Sequence, residues 1–128
     1  MSRTTGREEI VKAGCECIAY QINDVIDAMR KDSKIDISQM CVDGGPTRNK
    51  YLMQFQSDIS QTEVKIPDAE ELSVIGAGYL AGESAGYYDP DDIYKAITYN
   101  FFETKMQEQE RSEKVHGWNE AVEMLLKK

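Results

Sequence analysis

The feature that most constrains this chain is a pair of short apolar runs separated by one helical pattern. The runs cover residues 39–43 and 64–66, and apolar residues recur at helical spacing between them. A strand, a crossover helix and a second strand predict a parallel pair, so the expected fold class is α/β. Two parallel strands seldom stand alone. The chain is therefore expected either to belong to a larger sheet or to associate with a copy of itself.

A long amphipathic helix is predicted before the first strand. Thr5 is its expected N-cap, with Glu8 as the reciprocal acid three residues later. Residues 30–34 are expected to end this helix in solvent. Its apolar positions step by three and four along one face, which consists of Val11, Cys15, Ile18, Ile22, Val25 and Met29.

A glycine-rich helix is predicted after the second strand, from Leu72 to about Ala85. The segment 68–71 resembles a capping sequence at its start. Glycine recurs every fourth residue at positions 78, 82 and 86. Since glycine weakens a helix, this stripe predicts that another backbone packs closely against it.

The turn after the first apolar run carries the sharpest chemical signal. Its sequence, residues 42–49, is Val-Asp-Gly-Gly-Pro-Thr-Arg-Asn. Ligands of parallel α/β sheets bind beyond the carboxyl ends of the strands, and Gly44 and Gly45 let a phosphate or sugar approach the backbone there. Asn49 lies within the first turn of the next helix and could hydrogen-bond a base edge. On local pattern alone, an ordinary Asp-Gly-Gly turn remains an alternative.

Arg48, Asp43 and His116 each have a structural interpretation beside a functional one. Arg48 could reach a phosphate or point into water, and Asp43 could contact a metal-bound phosphate through water or stabilise its own turn. His116 is the only histidine in the chain. It lacks Cys or His partners at ligand spacing, which favours a surface or packing role over a metal site.

The aromatic and acidic features near the end of the chain favour structural roles. Trp118 falls at helical spacing with apolar neighbours and is expected to pack in the core rather than bind a ligand. The acidic run 89–92 lacks the glycine and distal glutamate of a calcium loop, so it is expected to start a helix. The run 108–113 is expected to form a solvated helix face.

Charge and cysteine content restrict the partners and the compartment. The net charge of −8 argues against nucleic acid or an anionic membrane as the partner, but it does not exclude a small nucleotide. Three cysteines, two of them only two residues apart, do not suggest a disulfide framework. The first residues lack the apolar region of a signal peptide, and no apolar run is long enough to span a membrane. A cytoplasmic location is expected.

Nearly the whole chain resembles the end of the second domain of the FGGY carbohydrate kinases. The segment Leu52–Ile59 is similar to the glycerol kinases rather than to the pentulose kinases of that family. Residues 1–128 are therefore identified as the carboxyl-terminal portion of the second, nucleotide-facing domain, and the amino-terminal domain is expected to be absent. The matching segments are Thr5–Arg7, Ile18–Gln21, Val42–Gly45, Asn49, Leu52–Ile59, Gly76–Gly82, Gly117–Trp118 and Ala121–Val122.

This resemblance implies an actin-like, ribonuclease-H-type ATPase domain that binds ATP with Mg²⁺ in a cleft between two domains. Matched by position, Gly45 would lie against the nucleotide phosphates, Asn49 would contact the adenine and Gly44 would shape the turn beside them. Gly76 and Gly82 would be packing glycines beneath the site. The resemblance assigns no catalytic residue and no metal ligand to this chain.

The implied reaction converts ATP and glycerol to glycerol 3-phosphate and ADP. The chain alone is expected to be inactive, because the polyol site, the catalytic base and the first phosphate loop would lie in the absent domain. Two alternatives stay open: a non-catalytic homo-oligomeric binding or assembly module, and a related kinase acting on another polyol or sugar. The chain departs from the family pattern at Pro46, Thr47, Arg48, Gly78 and Thr104.

Overall fold

The computed structural model describes residues 5–69, 72–87, 89 and 97–127. The helices are α1 (Arg7–Ser33), α2 (Lys50–Ser60), α3 (Leu72–Ser84) and α4 (Glu108–Leu126). The strands are β1 (Gln39–Cys41), β2 (Glu63–Pro67) and β3 (Tyr99–Phe102). A single turn of 3-10 helix, Gly45–Arg48, joins β1 to α2. This order confirms the predicted arrangement of strand, helix and strand.

The three strands form one sheet in the order β1-β2-β3. β1 and β2 are parallel, with Met40 opposite Val64, which confirms the predicted pairing. β3 runs antiparallel to β2 and places Phe102 opposite Val64. No sequence pattern predicted this third strand, and the second strand was predicted from the apolar run 64–66 alone. Pro67 is instead the last residue of β2, opposite Tyr99, at a strand end where proline is tolerated.

Helix α2 lies at the centre of the core. It packs against α1 on one side and against the sheet on the other. Ile59 of α2, Ala19 of α1 and Val64 of β2 are completely buried. The remaining buried apolar side chains of the cluster are Leu52, Met53 and Phe55. The predicted apolar face of α2 therefore forms most of the core.

The apolar face predicted for α1 is largely exposed. Val25 and Met29 are 59% and 54% exposed, whereas the buried residues of this helix are Ala19, Asn23 and Ile26. The helix was correctly predicted, but α2 packs on the neighbouring stripe of its surface.

The first end of α1 differs from the prediction, and the second end, where residues 31–34 are exposed as predicted, differs only at Arg30. The N-cap is Gly6 rather than Thr5, and the Gly6 amide donates to the Glu9 carboxylate at 2.8 Å, so the reciprocal pair lies one residue later than predicted. Hydrogen bonds from the backbone N–H groups of Glu9 itself and of Gly6 lower the pKa of the Glu9 carboxyl. At the other end Arg30 does not point into solvent. Its guanidinium donates to the carbonyl oxygens of Ser60 and Ile37.

Within the described residues, helix α3 does not show the close packing predicted from its glycines. A Cβ added to Gly76 or Gly78 would meet no atom within 4 Å in the described part of the chain. Gly86 lies beyond the helix, with a φ of 76°. Among the described residues, no backbone packs against Gly76 or Gly78, so the predicted neighbour is not found there. The capping residues predicted at positions 70 and 71 lie outside the described residues.

Helix α4 docks on α1 through Trp118. The indole ring stacks on Tyr20 with centroids 5.2 Å apart, and its Nε1 donates to Asp24 Oδ2 at 2.8 Å. Trp118 therefore packs against another helix, but it is only half-buried and lies outside the core cluster in which it was predicted. His116 is exposed and lies 3.4 Å from Glu120, which confirms its predicted surface position.

Apart from Asp89, the run 89–92 lies outside the described residues. No described helix is long and apolar enough to cross a membrane.

Candidate functional site

The glycine turn follows β1 directly and is held by short-range hydrogen bonds. Gly44 has φ 97° and ψ 175°, a backbone conformation that disfavours any side chain. The Thr47 amide donates to the Gly44 carbonyl oxygen at 3.0 Å, and the Thr47 hydroxyl donates to the same oxygen at 2.7 Å. Pro46 occupies the first turn of the 3-10 helix, where its missing N–H has little cost. The local sequence therefore fixes the shape of this turn.

The outer surface of this turn is open. Among the described residues, a Cβ added to Gly45 would meet no atom within 4 Å, and one added to Gly44 would meet only Pro46 Cδ, at 3.9 Å. The two glycines form one wall of a depression of about 470 Å³. A ligand can therefore approach the backbone at Gly45 without meeting a side chain of the described residues.

The depression lies at the carboxyl ends of the parallel strands β1 and β2. Its walls are residues 43–48 after β1, except Pro46, and residues 66–69 at the end of β2, together with Asn100. Asp43, Asp68 and Arg48 bring charges of both signs to its rim. This end of a parallel pair is where α/β domains bind their ligands.

Asn49 lies on the other side of the 3-10 turn and caps α2. Its Oδ1 accepts a hydrogen bond from the Leu52 amide at 3.2 Å, and its Nδ2 lies 3.7 Å from Cys15 Sγ. It lines a second cavity of about 720 Å³, which does not include Gly44 or Gly45. The structure therefore brings the two glycines together at one cavity and places Asn49 at the next.

The second cavity contains polar groups that the sequence analysis did not single out. Tyr51 of α2 is 44% exposed, and its hydroxyl donates to the Glu16 carboxylate. Burial, and then the hydrogen bond and charge of Glu16, raise the pKa of Tyr51 above its ordinary value. Lys12 lies 3.7 Å from Glu16. The contact between Tyr51 and Glu16 joins residues 35 positions apart, so no local pattern could have predicted it.

The described residues do not include a metal cluster. No group of three or more His, Cys, Asp or Glu side chains in that part of the chain could hold an ion. The three cysteines are free. The chemistry of this surface is therefore that of an open backbone turn with a few flanking polar side chains.

The fold matches a solved kinase over the full length of this chain. The crystal structure of Plasmodium falciparum glycerol kinase with ADP aligns with a TM-score of 0.88 and 36% sequence identity. The alignment covers 100% of this chain and 26% of the other. Together with the parallel strands and their terminal turn, this match defines the fold as the actin-like ATPase class.

Sequence comparison then assigns the family. Residues 1–85 match the C-terminal domain of the FGGY family of carbohydrate kinases, and this chain belongs to that family. The glycerol kinase of Natranaerobius thermophilus is 44% identical over 127 residues, covering 98% of this chain and 26% of its relative. That of Shewanella halifaxensis is 42% identical over 124 residues, covering 95% and 25%. The chain thus spans about a quarter of the length of these relatives.

Proposed function

We propose that this chain forms the nucleotide-facing wall of a glycerol kinase. The reaction moves the terminal phosphoryl group of ATP to a hydroxyl of glycerol, and the hydroxyl proton is released as glycerol 3-phosphate and ADP form. The observation that carries this proposal is the open Gly44-Gly45 turn at the carboxyl end of a parallel strand. Relatives that cover almost all of this chain are glycerol kinases, and the solved one contains ADP.

Gly44 and Gly45 are the proposed contacts of the nucleotide phosphates. Phosphoryl transfer depends mainly on positioning and on charge stabilisation around the phosphates. Backbone groups provide both without a flexible side chain, provided that nothing blocks their approach. The open space outside Gly45 meets this condition. Arg48 lines the same depression and could add positive charge there.

Asn49 is the proposed contact of the adenine. Its Oδ1 is already engaged by the Leu52 amide, so the group it can offer to a base is its NH₂. One of the two amide hydrogens is directed towards Cys15 Sγ, which leaves the second for a ring nitrogen of adenine. The phosphates and the base would then occupy neighbouring cavities, and the nucleotide would lie across the 3-10 turn.

Mg²⁺ would reach this surface together with ATP. The described residues lack a cluster of ligands, but Asp43 and Asp68 line the depression beside the glycine turn. Mg²⁺ keeps several waters and binds through phosphates and one or two carboxylates, which fits such a sparse set. The ion would supply charge neutralisation at the phosphates.

The base that accepts the hydroxyl proton and the polyol contacts are proposed to lie outside this chain, because a base must reach the reacting hydroxyl directly. We therefore expect no glycerol-dependent release of ADP from these 128 residues alone.

Three free cysteines suit the reducing cytoplasm. The alternative function is a non-catalytic module that self-associates through the open edge of β1. This alternative predicts that titration with millimolar ATP produces no heat of binding.

Replacing Gly45 with valine should weaken ATP binding at least tenfold, or by about 1.4 kcal/mol. The side chain would fill the approach to the turn without a clash, and the φ of Gly45 is not in the left-handed region. Calorimetric titration with ATP measures the effect. Gly117→Val is the matched control, because Gly117 also faces open space but lies on α4. Equal affinities for Gly45→Val and Gly117→Val would contradict the proposed phosphate contact.

Asn49 should show separable effects on binding and stability. Asn49→Ser keeps a good N-cap but removes the amide, so we expect at least about tenfold weaker ATP binding and little change in stability. Asn49→Ala should weaken binding similarly and also lower the free energy of unfolding by about 1 kcal/mol. Calorimetry and urea denaturation measure the two quantities. If Asn49→Ser binds ATP like the unmodified chain, Asn49 does not contact the base.

A further inference from the structure

Asp43 and Gly44 form a residue pair that can react within the backbone itself. No other aspartate of the sequence is followed by glycine, and no asparagine is. Both residues are exposed just after β1, and Asp43 lines the depression beside the turn. A glycine favours ring closure between a preceding aspartate side chain and its own nitrogen, because it has no Cβ to obstruct the approach. The pair therefore combines an accessible carboxyl with an unobstructed backbone nitrogen.

The backbone hydrogen bonds on either side of the pair do not engage the Gly44 nitrogen. Before the pair, the Val42 amide donates to the Lys65 carbonyl oxygen at 3.0 Å. After it, the Thr47 amide and hydroxyl both donate to the Gly44 carbonyl oxygen. Among the described residues, no backbone hydrogen bond between the strand and the 3-10 turn uses the Gly44 N–H as its donor. The nitrogen that must attack is therefore not held by another described backbone group.

We propose that Asp43 is a site of spontaneous modification, at which aspartate converts to isoaspartate. The Gly44 nitrogen forms a bond to Asp43 Cγ, the hydrogen of that nitrogen and the hydroxyl of the protonated carboxyl leave as water, and a succinimide ring closes. One water molecule then opens the ring. Addition at Cγ restores aspartate, whereas addition at the α-carbonyl carbon leaves Gly44 bonded through Cγ and frees the α-carboxylate. Water is the only co-reactant, and the net change is an isomerisation.

Two other aspartates show why the open turn matters. Asp36 is also exposed and lies outside the helices and strands, but it is followed by Ile37, whose branched Cβ obstructs the attacking nitrogen. Asp58 is 7% exposed on α2, where helical hydrogen bonds fix the backbone. Asp43 has neither obstacle. The chain therefore contains its own comparison sites for the reaction.

Conversion would change the turn that carries the two glycines. The main chain would gain Asp43 Cβ as one additional backbone atom directly before Gly44, so the glycines would shift relative to β1. The formation of isoaspartate does not depend on the proposed phosphate contact, whereas its effect on ATP affinity rests on that proposed function. If Gly44 and Gly45 contact the phosphates, the converted chain should bind ATP at least about tenfold more weakly.

Incubation of the whole chain at physiological temperature and neutral pH tests the inference. Proteolysis and mass spectrometry locate isoaspartate, and an isoaspartyl carboxyl methyltransferase with labelled S-adenosylmethionine measures its amount. We expect isoaspartate to accumulate at least about tenfold faster at Asp43 than at Asp36. Asp43→Glu should remove the labelling, since glutamate would have to close a larger ring. The matched control, Asp36→Glu, should leave the labelling unchanged.

Equal accumulation at Asp43 and Asp36, or labelling that persists in Asp43→Glu, would overturn the inference. So would a rate at Asp43 more than about a hundredfold lower in the folded chain than in urea, because the native turn would then hold the carboxyl and the nitrogen apart. Calorimetric titration with ATP is carried out separately before and after conversion. Conversion without a change in ATP affinity would support the modification site and count against the proposed phosphate contact.

Discussion

Replacing Asp58 with alanine should lower the free energy of unfolding by about 3 kcal/mol. Asp58 lies on α2 and is 7% exposed. Its Oδ1 accepts hydrogen bonds from the amides of Lys105 and Met106 at 2.6 and 3.1 Å, and from Gln54 Nε2 at 3.1 Å. Alanine would leave these donors without their acceptor, and the loop between β3 and α4 would lose its attachment to α2.

Urea denaturation followed by far-UV circular dichroism measures this loss. Asp58→Asn keeps a carbonyl oxygen at the same place but removes the charge, so it should lose less than Asp58→Ala. Asp36→Ala changes an exposed aspartate and should shift the free energy of unfolding by no more than about 0.5 kcal/mol. If Asp58→Ala were no more destabilising than Asp36→Ala, the carboxylate would not hold the loop.

Asp58 belongs to the segment Leu52–Ile59, which carried the resemblance to glycerol kinases. In the structure this segment is the core of the chain: apart from Gln54, all its residues are buried. Ser57 donates to the Phe102 carbonyl oxygen at 2.8 Å and so connects α2 to β3. The resemblance of this segment to glycerol kinases thus depends on residues that build the scaffold, while the proposed ligand contacts lie just before it.

The parallel pair and the glycine turn could be predicted because their signals are local. Pro46 and the paired glycines mark a turn, and apolar spacing marks α2. Strand β3 had no comparable signal. Its four residues are held by pairing with β2, with Phe102 opposite Val64, and sequence periodicity does not report a contact over that separation. A short strand that is stabilised by a partner distant in sequence cannot be predicted from a local sequence pattern.

The candidate site also combines features that local sequence predicts with features that depend on distant contacts. Gly44 and Gly45 mark the turn in the sequence, but the position of Asn49 depends on the path of α1. Asn49 contacts Cys15, which is 34 residues earlier, and this contact places it at a cavity separate from the glycines. The apolar stripe of α1 was likewise visible in the sequence, but the sequence did not indicate which element would cover it. Helical periodicity identifies the apolar face of a helix, but it does not identify the element that packs on that face.

Arg30 makes the other contact that we expect to dominate stability. Its guanidinium donates to the carbonyl oxygens of Ser60 and Ile37 at 2.9 and 2.8 Å, and to Thr62 Oγ1 at 2.8 Å. One side chain therefore joins the end of α1, the approach to β1 and the turn between α2 and β2. The planar guanidinium can bind these three acceptors together, which a lysine ammonium on a flexible stem does less well.

Arg30→Met should lower the free energy of unfolding by about 3 kcal/mol, because it keeps most of the apolar stem but leaves buried acceptors unpaired. Arg30→Lys should recover part of this loss, and Lys31→Met, which changes the exposed neighbour, should stay within about 0.5 kcal/mol of the unmodified chain. Since Arg30 holds the segment leading into β1, amides of Gln39–Cys41 should exchange with deuterium faster in Arg30→Met under native conditions. Unchanged exchange in β1, despite lower global stability, would show that Arg30 does not position the strand that carries the glycine turn.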